Sequence, residues 1–242
     1  MKISAIIPAR NEAENIGIVL DAVDRKLVTE IVVADNASTD NTAETAGRHG
    51  AHVVYESRKG YGYACLAALD KVSDPDVVVF LDGDLSDDPS QMKKLLEPIM
   101  ANQADFVVGS RTLGKSERGA LTLTQRYGNW LAAFLLSRTF GITFTDLGPF
   151  RAIRYNILRK MAMRDKRFGW TVEMQIKAAM MGIRYAEVPV DYRRRRHGKS
   201  KVSGTIKGVT MASLSILFYL ARAVIGKWTG RYCQIPAERS LS

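Results

Sequence analysis

Short apolar runs alternate with amphipathic stretches along the first half of the chain. Runs rich in Val, Ile and Ala predict five strands, at 2–9, 30–36, 51–57, 76–82 and 105–111. The residues between them have helical spacing at 13–23, 61–72 and 90–100, and Asn11 is the expected N-cap of the first helix. Strand–helix–strand repeats predict an α/β fold with a mostly parallel central sheet and flanking helices.

The pattern changes after about residue 111. An apolar and basic stretch follows at 121–142, then a loop and strand at 145–153, helices near 154–162 and 171–181, a strand at 184–192 and a last apolar helix at 205–225. We therefore expect a main domain at 1–202, an amphipathic helix within 203–226 and a loose polar tail at 227–242. With 242 residues, 46% of them apolar, the chain can bury one sizeable core.

Cysteine usage and the first residues bear on location. Only Cys65 and Cys233 are present, too few for a disulfide framework, and "MKISAIIPAR" is too short and too soon charged to be a signal peptide. A reducing, cytoplasmic location is the expectation.

Aspartates gather at the end of the fourth predicted strand, in "VVVFLDGDLSDDP" (77–89). Ligands of open α/β sheets bind beyond the carboxyl ends of the strands, and two carboxylates in D-x-D can converge on one hard cation. Asp82 and Asp84 are the candidate ligands of Mn²⁺ or Mg²⁺. The alternative is an Asp-rich turn that caps the following helix.

Three further strand ends carry polar or Gly-rich loops. They are Pro8–Glu12, then Asp35, Asn36, Ser38 and Asp40, then Arg58, Lys59, Gly60 and Gly62. Such loops supply acceptors for a base and ribose and backbone donors for phosphates. No G-x-G-x-x-G follows the first strand, so the dinucleotide-binding fingerprint is missing.

Charge is unevenly distributed in a chain with a formal net charge of +10. The block "RRRRHGKSK" at 193–201 suits phosphorylated ligands, an anionic membrane or nucleic acid, and its alternative is a solvated charge run. A basic α/β nucleic-acid-binding protein therefore stays open as a function of another class. It leaves the strand-end loops unexplained, and we expect no nucleic-acid partner.

Taken together, the motifs resemble those of a known family. "IIPARNEAENI", "VVADNASTDNT", "KGYGYA", "VVFLDGDLSDDP", "VVGSR", "DLGPFRA" and "EVPVDYRRRRHGKSK" occur in the order of the family 2 glycosyltransferases, most like the dolichyl-phosphate mannose synthase group. The resemblance implies a GT-A fold with a catalytic domain at 1–202. It also implies inverting transfer of a hexose from a nucleotide diphosphate sugar, of the GDP-mannose or UDP-glucose type, to a polyprenyl phosphate.

The resemblance also implies the donor site. Its nucleotide-sugar residues are Pro8, Ala9, Asn11, Glu12, Asp35, Asn36, Lys59, Gly60, Asp82 and Gly83, with the metal at Asp82 and Asp84. Two positions depart from the family pattern. Asn36 stands where a second Asp is common, which leaves open which base the nucleotide carries. Ser86 stands where a Gln can complete the metal shell, which suggests one additional water there.

A phosphate acceptor is already an anion near neutral pH and needs no general base. Cations must instead hold two anions together and stabilise the leaving diphosphate, and Arg111, Arg126 and the basic block at 193–201 can supply them. The candidate catalytic residues are Asp84, Arg111, Arg126 and Glu173. The acceptor residues by resemblance are Asp146, Arg151, Arg194, Lys199 and Ser200. Two of these candidates keep alternatives: Arg126 as a surface helix residue, and Glu173 as the partner of a neighbouring Arg.

The stretch at 121–142 holds the apolar run "WLAAFLL" between Arg126 and Arg138, and the stretch at 209–225 is apolar but for hydroxyls and Arg222. Neither supplies the roughly twenty consecutive apolar residues that a spanning helix needs. We expect them to lie on the bilayer surface or to pack on the domain, which makes the protein peripheral at the inner membrane face. A family 2 enzyme with a soluble acceptor is the alternative. The oligomeric state is left open.

Overall fold

The computed structural model describes residues 1–197, 218–219 and 221–222, and these build a seven-stranded sheet flanked by helices. The strands are β1 Ile3–Ala9, β2 Glu30–Asp35, β3 His52–Tyr55, β4 Val77–Phe80, β5 Phe106–Ser110, β6 Arg151–Arg154 and β7 Tyr185–Pro189. The helices are α1 Ala13–Ala22, α2 Thr42–Arg48, α3 Tyr61–Leu69, α4 Met92–Met100, α5 Leu123–Phe140, α6 Tyr155–Met161 and α7 Trp170–Met180. The predicted α/β class is confirmed.

The sheet order is β3-β2-β1-β4-β6-β5-β7, and β6 alone among these strands runs antiparallel to its neighbours. Phe80 at the end of β4 pairs with Arg151 at the start of β6. The segment before β6 therefore meets the same edge of the sheet as the carboxyl ends of β1, β2, β4 and β5. This edge, which we call the carboxyl edge, collects the loops that the sequence marked as functional.

Alternation along the strands divides the core between the two faces of the sheet. On one face Ile7 packs with Ile16 of α1 and Leu95 of α4. On the other face Ile6 packs with Cys65 of α3 and Met174 of α7. Because the central strands are covered on both sides, they read as continuous apolar runs in the sequence.

Helix α5 lies outside this arrangement, against α7. Its buried residues Ala132 and Leu136 pack with Val172 and Ile176. Thr122 and Gln125 form a reciprocal capping box at its start, and Gly141, with φ of 71°, ends it in the left-handed conformation. These signals define an 18-residue helix within the predicted 121–142 stretch.

One local prediction was wrong. Asn11 does not cap α1: the helix begins after Glu12, whose carbonyl accepts from the amides of Asn15 and Ile16. Asn11 instead adopts a φ of 53°, and its Oδ1 accepts from the amide of Thr39 at 2.8 Å. The contact crosses between two loops that are distant in sequence, so local spacing did not reveal it.

Several of the predictions for the basic end of the chain concern residues outside the described ranges. The predicted helix at 205–225, apart from four of its residues, the tail at 227–242 and the site candidates Lys199 and Ser200 lie outside the described residues. Within the described ranges, no helix combines the length and apolarity needed to cross a bilayer.

Candidate active site

The first two loops of the carboxyl edge are fastened to each other. The amide of Asn11 donates to Ser38 Oγ at 2.9 Å, and the amide of Glu12 donates to Thr42 Oγ1 at 2.8 Å. Pro8 and Ala9, the last residues of β1, lead into this junction beside the buried Asp35. The structure thus brings the predicted base-side residues together in one rigid corner.

Asn36 fastens the third loop to the second. Its Nδ2 donates to the carbonyl of Arg58 at 2.7 Å, and its Oδ1 accepts from the amide of Gly60 at 2.7 Å. A Cβ on Gly60 would lie 2.2 Å from the carbonyl oxygen of Lys166, so glycine is required there by close backbone approach. Lys59 is exposed at the tip of this loop.

The D-x-D segment follows β4 directly and turns under the first loop. Gly83 lies against the side chains of Ile16 and Ala9. Asp84 is held from both sides, since its Oδ1 accepts from the amide of Ser86 at 2.9 Å and its Oδ2 accepts from Arg195 Nη2 at 2.7 Å. By contrast, Oδ1 of Asp82 is buried and has no hydrogen-bond partner among the described residues.

This donor set fits a hard divalent cation. Burial raises the pKa of Asp82 well above its ordinary value, and the neighbouring carboxylates of Asp84 and Asp87 add to the effect. Carboxylate oxygens crowded in this way are stabilised when a cation joins them. Within the described part of the chain no three His, Cys, Asp or Glu side chains converge as a complete metal site. A cation would therefore take its remaining ligands from diphosphate and water.

Asp87 is a functional candidate that the residue-by-residue assignment missed. It is almost fully buried, and neither carboxylate oxygen has a hydrogen-bond partner among the described residues. Burial raises its pKa to about 7, against an opposing effect of Arg111, with Asp84 raising it further. Its signal in the sequence was only its membership of the aspartate cluster.

Arg111 and Asp146 form the cationic side of the site. Arg111 donates from its amide, Nε and Nη2 to the Asp146 carboxylate at 2.6, 2.8 and 2.6 Å. The guanidinium also lies over the ring of Tyr192, 5.0 Å from its centroid. Although burial opposes it, the pairing with Arg111 keeps the pKa of Asp146 below its ordinary value. The pair joins the end of β5 to the loop before β6.

Arg151 lies beneath this loop and is completely buried. Its Nε donates to the carbonyl of Gly148 at 3.1 Å and its Nη1 to the carbonyl of Thr171 at 3.0 Å. These bonds shape the segment that carries Asp146. Acceptor binding by Arg151 itself stays a prediction, because its hydrogen bonds are to backbone carbonyls and its guanidinium lies over the ring of Phe106.

Glu173 and Arg126 lie apart from the carboxylate cluster. Glu173 accepts from the amides of Arg164 and Asp165 and pairs with Lys177 at 2.6 Å, so it fixes the loop that packs on Gly60. The alternative for Glu173 was a pair with a neighbouring Arg, and the cation that the structure pairs with it is Lys177. Arg126 is exposed in the second turn of α5. The catalytic roles predicted for both residues have no contact here that supports them.

The basic segment at 193–197 lies across the D-x-D loop. The amide of Arg193 donates to the carbonyl of Ser86 at 2.8 Å, and its side chain pairs with Asp88 at 2.6 Å. Arg194 is exposed and donates its amide to Glu117 at 2.6 Å. Arg195 pairs with both Glu12 and Asp84. The sequence marked the whole block but gave no signal that singled out Arg195.

Comparison with known proteins agrees with this geometry. An uncharacterized glycosyltransferase of Mycobacterium tuberculosis is 34% identical over 216 residues, covering 88% of this chain and 94% of its own. The undecaprenyl-phosphate mannosyltransferase of Micrococcus luteus is 30% identical over 228 residues, covering 89% and 93%. Both alignments include the D-x-D loop and the basic segment within their span.

A solved structure supports the fold. Glucosyl-3-phosphoglycerate synthase from Mycobacterium tuberculosis, in complex with Mn²⁺, UDP-glucose and phosphoglyceric acid, superposes with a TM-score of 0.73 at 23% identity, over 92% of this chain and 79% of its own. The predicted GT-A fold is thereby confirmed. The family model described as "Glycosyl transferase family 2" matches residues 4–162. With the curated relatives, this match establishes that the chain is a glycosyltransferase and belongs to family 2.

Proposed function

We propose that this enzyme transfers a hexose from a nucleotide diphosphate sugar to a polyprenyl phosphate at a membrane surface, with Mn²⁺ or Mg²⁺ as cofactor. The donor would occupy the corner formed by the first three loops, with its diphosphate at Asp82 and Asp84. The relative from Micrococcus luteus is named for such an acceptor, and the structural neighbour was crystallised with Mn²⁺ and UDP-glucose.

The cation, when bound at Asp82 and Asp84, neutralises the diphosphate and makes it a better leaving group. Attack by an acceptor phosphate oxygen on the anomeric carbon forms the new C–O bond as the bond to the diphosphate oxygen breaks. In-line displacement inverts the configuration at that carbon. Arg111, oriented by its bonds to Asp146, would hold phosphate oxygens through its remaining N–H groups.

One observation supports the proposal of a lipid acceptor. Helix α5 has an exposed apolar stripe, formed by Leu123, Tyr127, Trp130 and Phe134. Their exposed fractions lie between 48% and 83%. The rings of Tyr127 and Trp130, and of Trp130 and Phe134, are each 5.7 Å apart, so the stripe is continuous. Because the opposite side of α5 is packed against α7, this exposed apolar face has no partner among the described residues, and such a face can be buried at the headgroup boundary of a bilayer.

The stripe is fixed to the site rather than remote from it. Asn129, next to Trp130, accepts at Oδ1 from the amide of Leu147 at 2.9 Å, and its Nδ2 donates to the carbonyl of Thr145 at 3.4 Å. Asp146 lies between those two residues. A lipid whose tail rests on the stripe would therefore carry its phosphate near Arg111, the partner of Asp146.

A soluble acceptor is the second candidate, because the structural neighbour was crystallised with phosphoglyceric acid, a small anion. The test offers GDP-mannose and UDP-glucose as donors, each with polyprenyl phosphate in mixed micelles or with phosphoglyceric acid, and measures labelled product. The proposal requires a lipid-linked product that depends on Mn²⁺ or Mg²⁺. Transfer to phosphoglyceric acid with none to the lipid would establish the second candidate instead.

A further inference from the structure

Arg195 lies where the D-x-D carboxylate should meet its cation. Its Nη1 is 2.6 Å from Glu12 Oε1 and its Nη2 is 2.7 Å from Asp84 Oδ2. One guanidinium thus joins the loop after β1 to the loop after β4, and its side chain is largely buried between them. Burial lowers the pKa of Arg195, but the carboxylates of Asp84 and Glu12 raise it by more, so the guanidinium stays charged between them.

Both oxygens of Asp84 are already engaged. Oδ1 accepts from the amide of Ser86 and Oδ2 accepts from Arg195. A divalent cation coordinated by Oδ2 would lie close to the guanidinium, where two positive charges repel strongly in a partly buried site. Metal coordination by Oδ2 of Asp84 therefore requires Arg195 to move.

The segment around Arg195 is attached to its neighbours by single hydrogen bonds and ion pairs. Arg193 pairs with Asp88, the amide of Arg194 donates to Glu117, and Nδ2 of Asn15 donates to the carbonyl of His197 at 3.2 Å. Arg193 and Arg194 are exposed. A partly exposed segment of this kind can shift by rearranging its side chains without disturbing the sheet.

We propose that Arg195 is a placeholder cation: it neutralises Glu12 and Asp84 in the donor-free enzyme and is displaced when metal and nucleotide diphosphate bind together. The released guanidinium is then free to bind phosphate oxygens, which its planar fork suits. Metal binding without nucleotide is consequently opposed, and metal binding with nucleotide is favoured. The inference rests on the metal site of the proposed function.

The test measures Mn²⁺ binding to the full chain by electron paramagnetic resonance, without nucleotide and with GDP or UDP. Arg195→Ala should bind Mn²⁺ about tenfold more tightly than wild type without nucleotide, within the usual range of coupling between sites. With the nucleoside diphosphate present, the same variant should bind Mn²⁺ and nucleotide more weakly than wild type. Opposite signs in the two conditions distinguish displacement from a simple loss of charge.

Two further variants sharpen the result. Arg196→Ala removes the same charge from an exposed neighbour that does not contact Glu12 or Asp84 in the contacts described above. It should leave the affinities for Mn²⁺ and for nucleotide within about twofold of wild type. Glu12→Gln keeps Arg195 but weakens its anchor, and should raise Mn²⁺ affinity without nucleotide in the same direction as Arg195→Ala. Thermal melts establish that each variant is folded.

The outcomes separate this inference from the proposed function. If wild type binds Mn²⁺ with nucleotide but Arg195→Ala binds the metal alone no more tightly than wild type does, the placeholder is wrong and the metal site stands. If Arg196→Ala raises the Mn²⁺ affinity without nucleotide as much as Arg195→Ala does, the placeholder is also wrong, because the effect then comes from net charge and not from the position of Arg195. If no variant binds Mn²⁺ under either condition, both the metal site and the placeholder fail.

Discussion

Arg111 and Asp146 form a two-pronged ion pair, with Nε–Oδ2 at 2.8 Å and Nη2–Oδ1 at 2.6 Å, between residues that are 35 positions apart. The Asp146 side chain is completely buried and that of Arg111 nearly so. Removing one member of a buried pair leaves the other uncompensated, which costs far more than an exposed pair contributes. The site therefore depends on a contact that is also structural.

We expect Asp146→Asn to lower both stability and transfer. The free energy of unfolding should fall by about 3 kcal/mol, because the Arg111 guanidinium is left buried without its counter-charge. Transfer should fall about a hundredfold, through loss of an oriented phosphate-binding group. Urea denaturation and initial rates measure the two effects.

Glu44→Gln is the control for this change, because Glu44 pairs with Arg48 on an exposed helix surface. It should alter neither quantity measurably. A fully active Asp146→Asn protein would exclude Arg111 orientation from the mechanism.

Asp87 predicts an unusual pH dependence of stability. Its pKa is raised from 3.8 to about 7 by burial, so the folded protein holds this proton more tightly than the unfolded chain does. The free energy of unfolding should therefore decline as pH rises from 3.8 through 7. In Asp87→Asn this decline should disappear, which makes the variant more stable than wild type at about pH 8 in EDTA and similar at about pH 4.

The adjacent Asp88 should behave in the opposite way. Hydrogen bonds from Ser90 and the charge of Arg193 lower its pKa, outweighing the opposing effect of burial. Its contribution to stability is present above 3.8 and lost as pH falls below it, so Asp88→Asn should be less stable than wild type at about pH 8. Guanidinium midpoints across this range test both signs, and an Asp87→Asn protein that is less stable at about pH 8 contradicts the first.

Asp84→Ala should abolish transfer while the fold stays intact, since the side chain lies beyond the core of β4. Excess EDTA should do the same to wild type, and Mn²⁺ or Mg²⁺ should restore it. Asp76→Ala, at the opposite end of the same strand, is the matched control and should keep full transfer. Activity of wild type in excess EDTA would show that the reaction does not need the cation.

Replacing Trp130 and Phe134 together by Ser should weaken binding to liposomes containing anionic lipid by about tenfold or more, because two large apolar side chains no longer enter the interface. Flotation measures binding, and calorimetry with the sugar nucleotide should register no change. Met100→Ser, also strongly exposed but on α4, is the control. If the control loses as much liposome binding as the double variant, the stripe on α5 is not the contact.

The sequence was sufficient for the general architecture because its signals are local. Continuous apolar runs such as Val77–Phe80 mark strands that are covered on both faces, and the polar residues that follow them mark the carboxyl edge of the sheet. The order of the motifs was enough to predict a family 2 glycosyltransferase, which the comparisons confirm. Asp82 and Asp84 could be chosen as metal candidates because their D-x-D spacing follows a buried strand and three other strand ends carry polar or Gly-rich loops.

Tertiary structure decided which charges meet. Arg195 contacts Asp84 across 111 positions of sequence, and no pattern within the run of four arginines distinguishes it from its neighbours. Likewise Arg151, expected at the acceptor, is buried against backbone carbonyls, whereas Asp87, which received no role, is enclosed without a hydrogen-bond partner among the described residues. Periodicity determines the elements because it reflects local burial; pairing of charges depends on distances between loops, which exist only once the sheet has brought its carboxyl ends together.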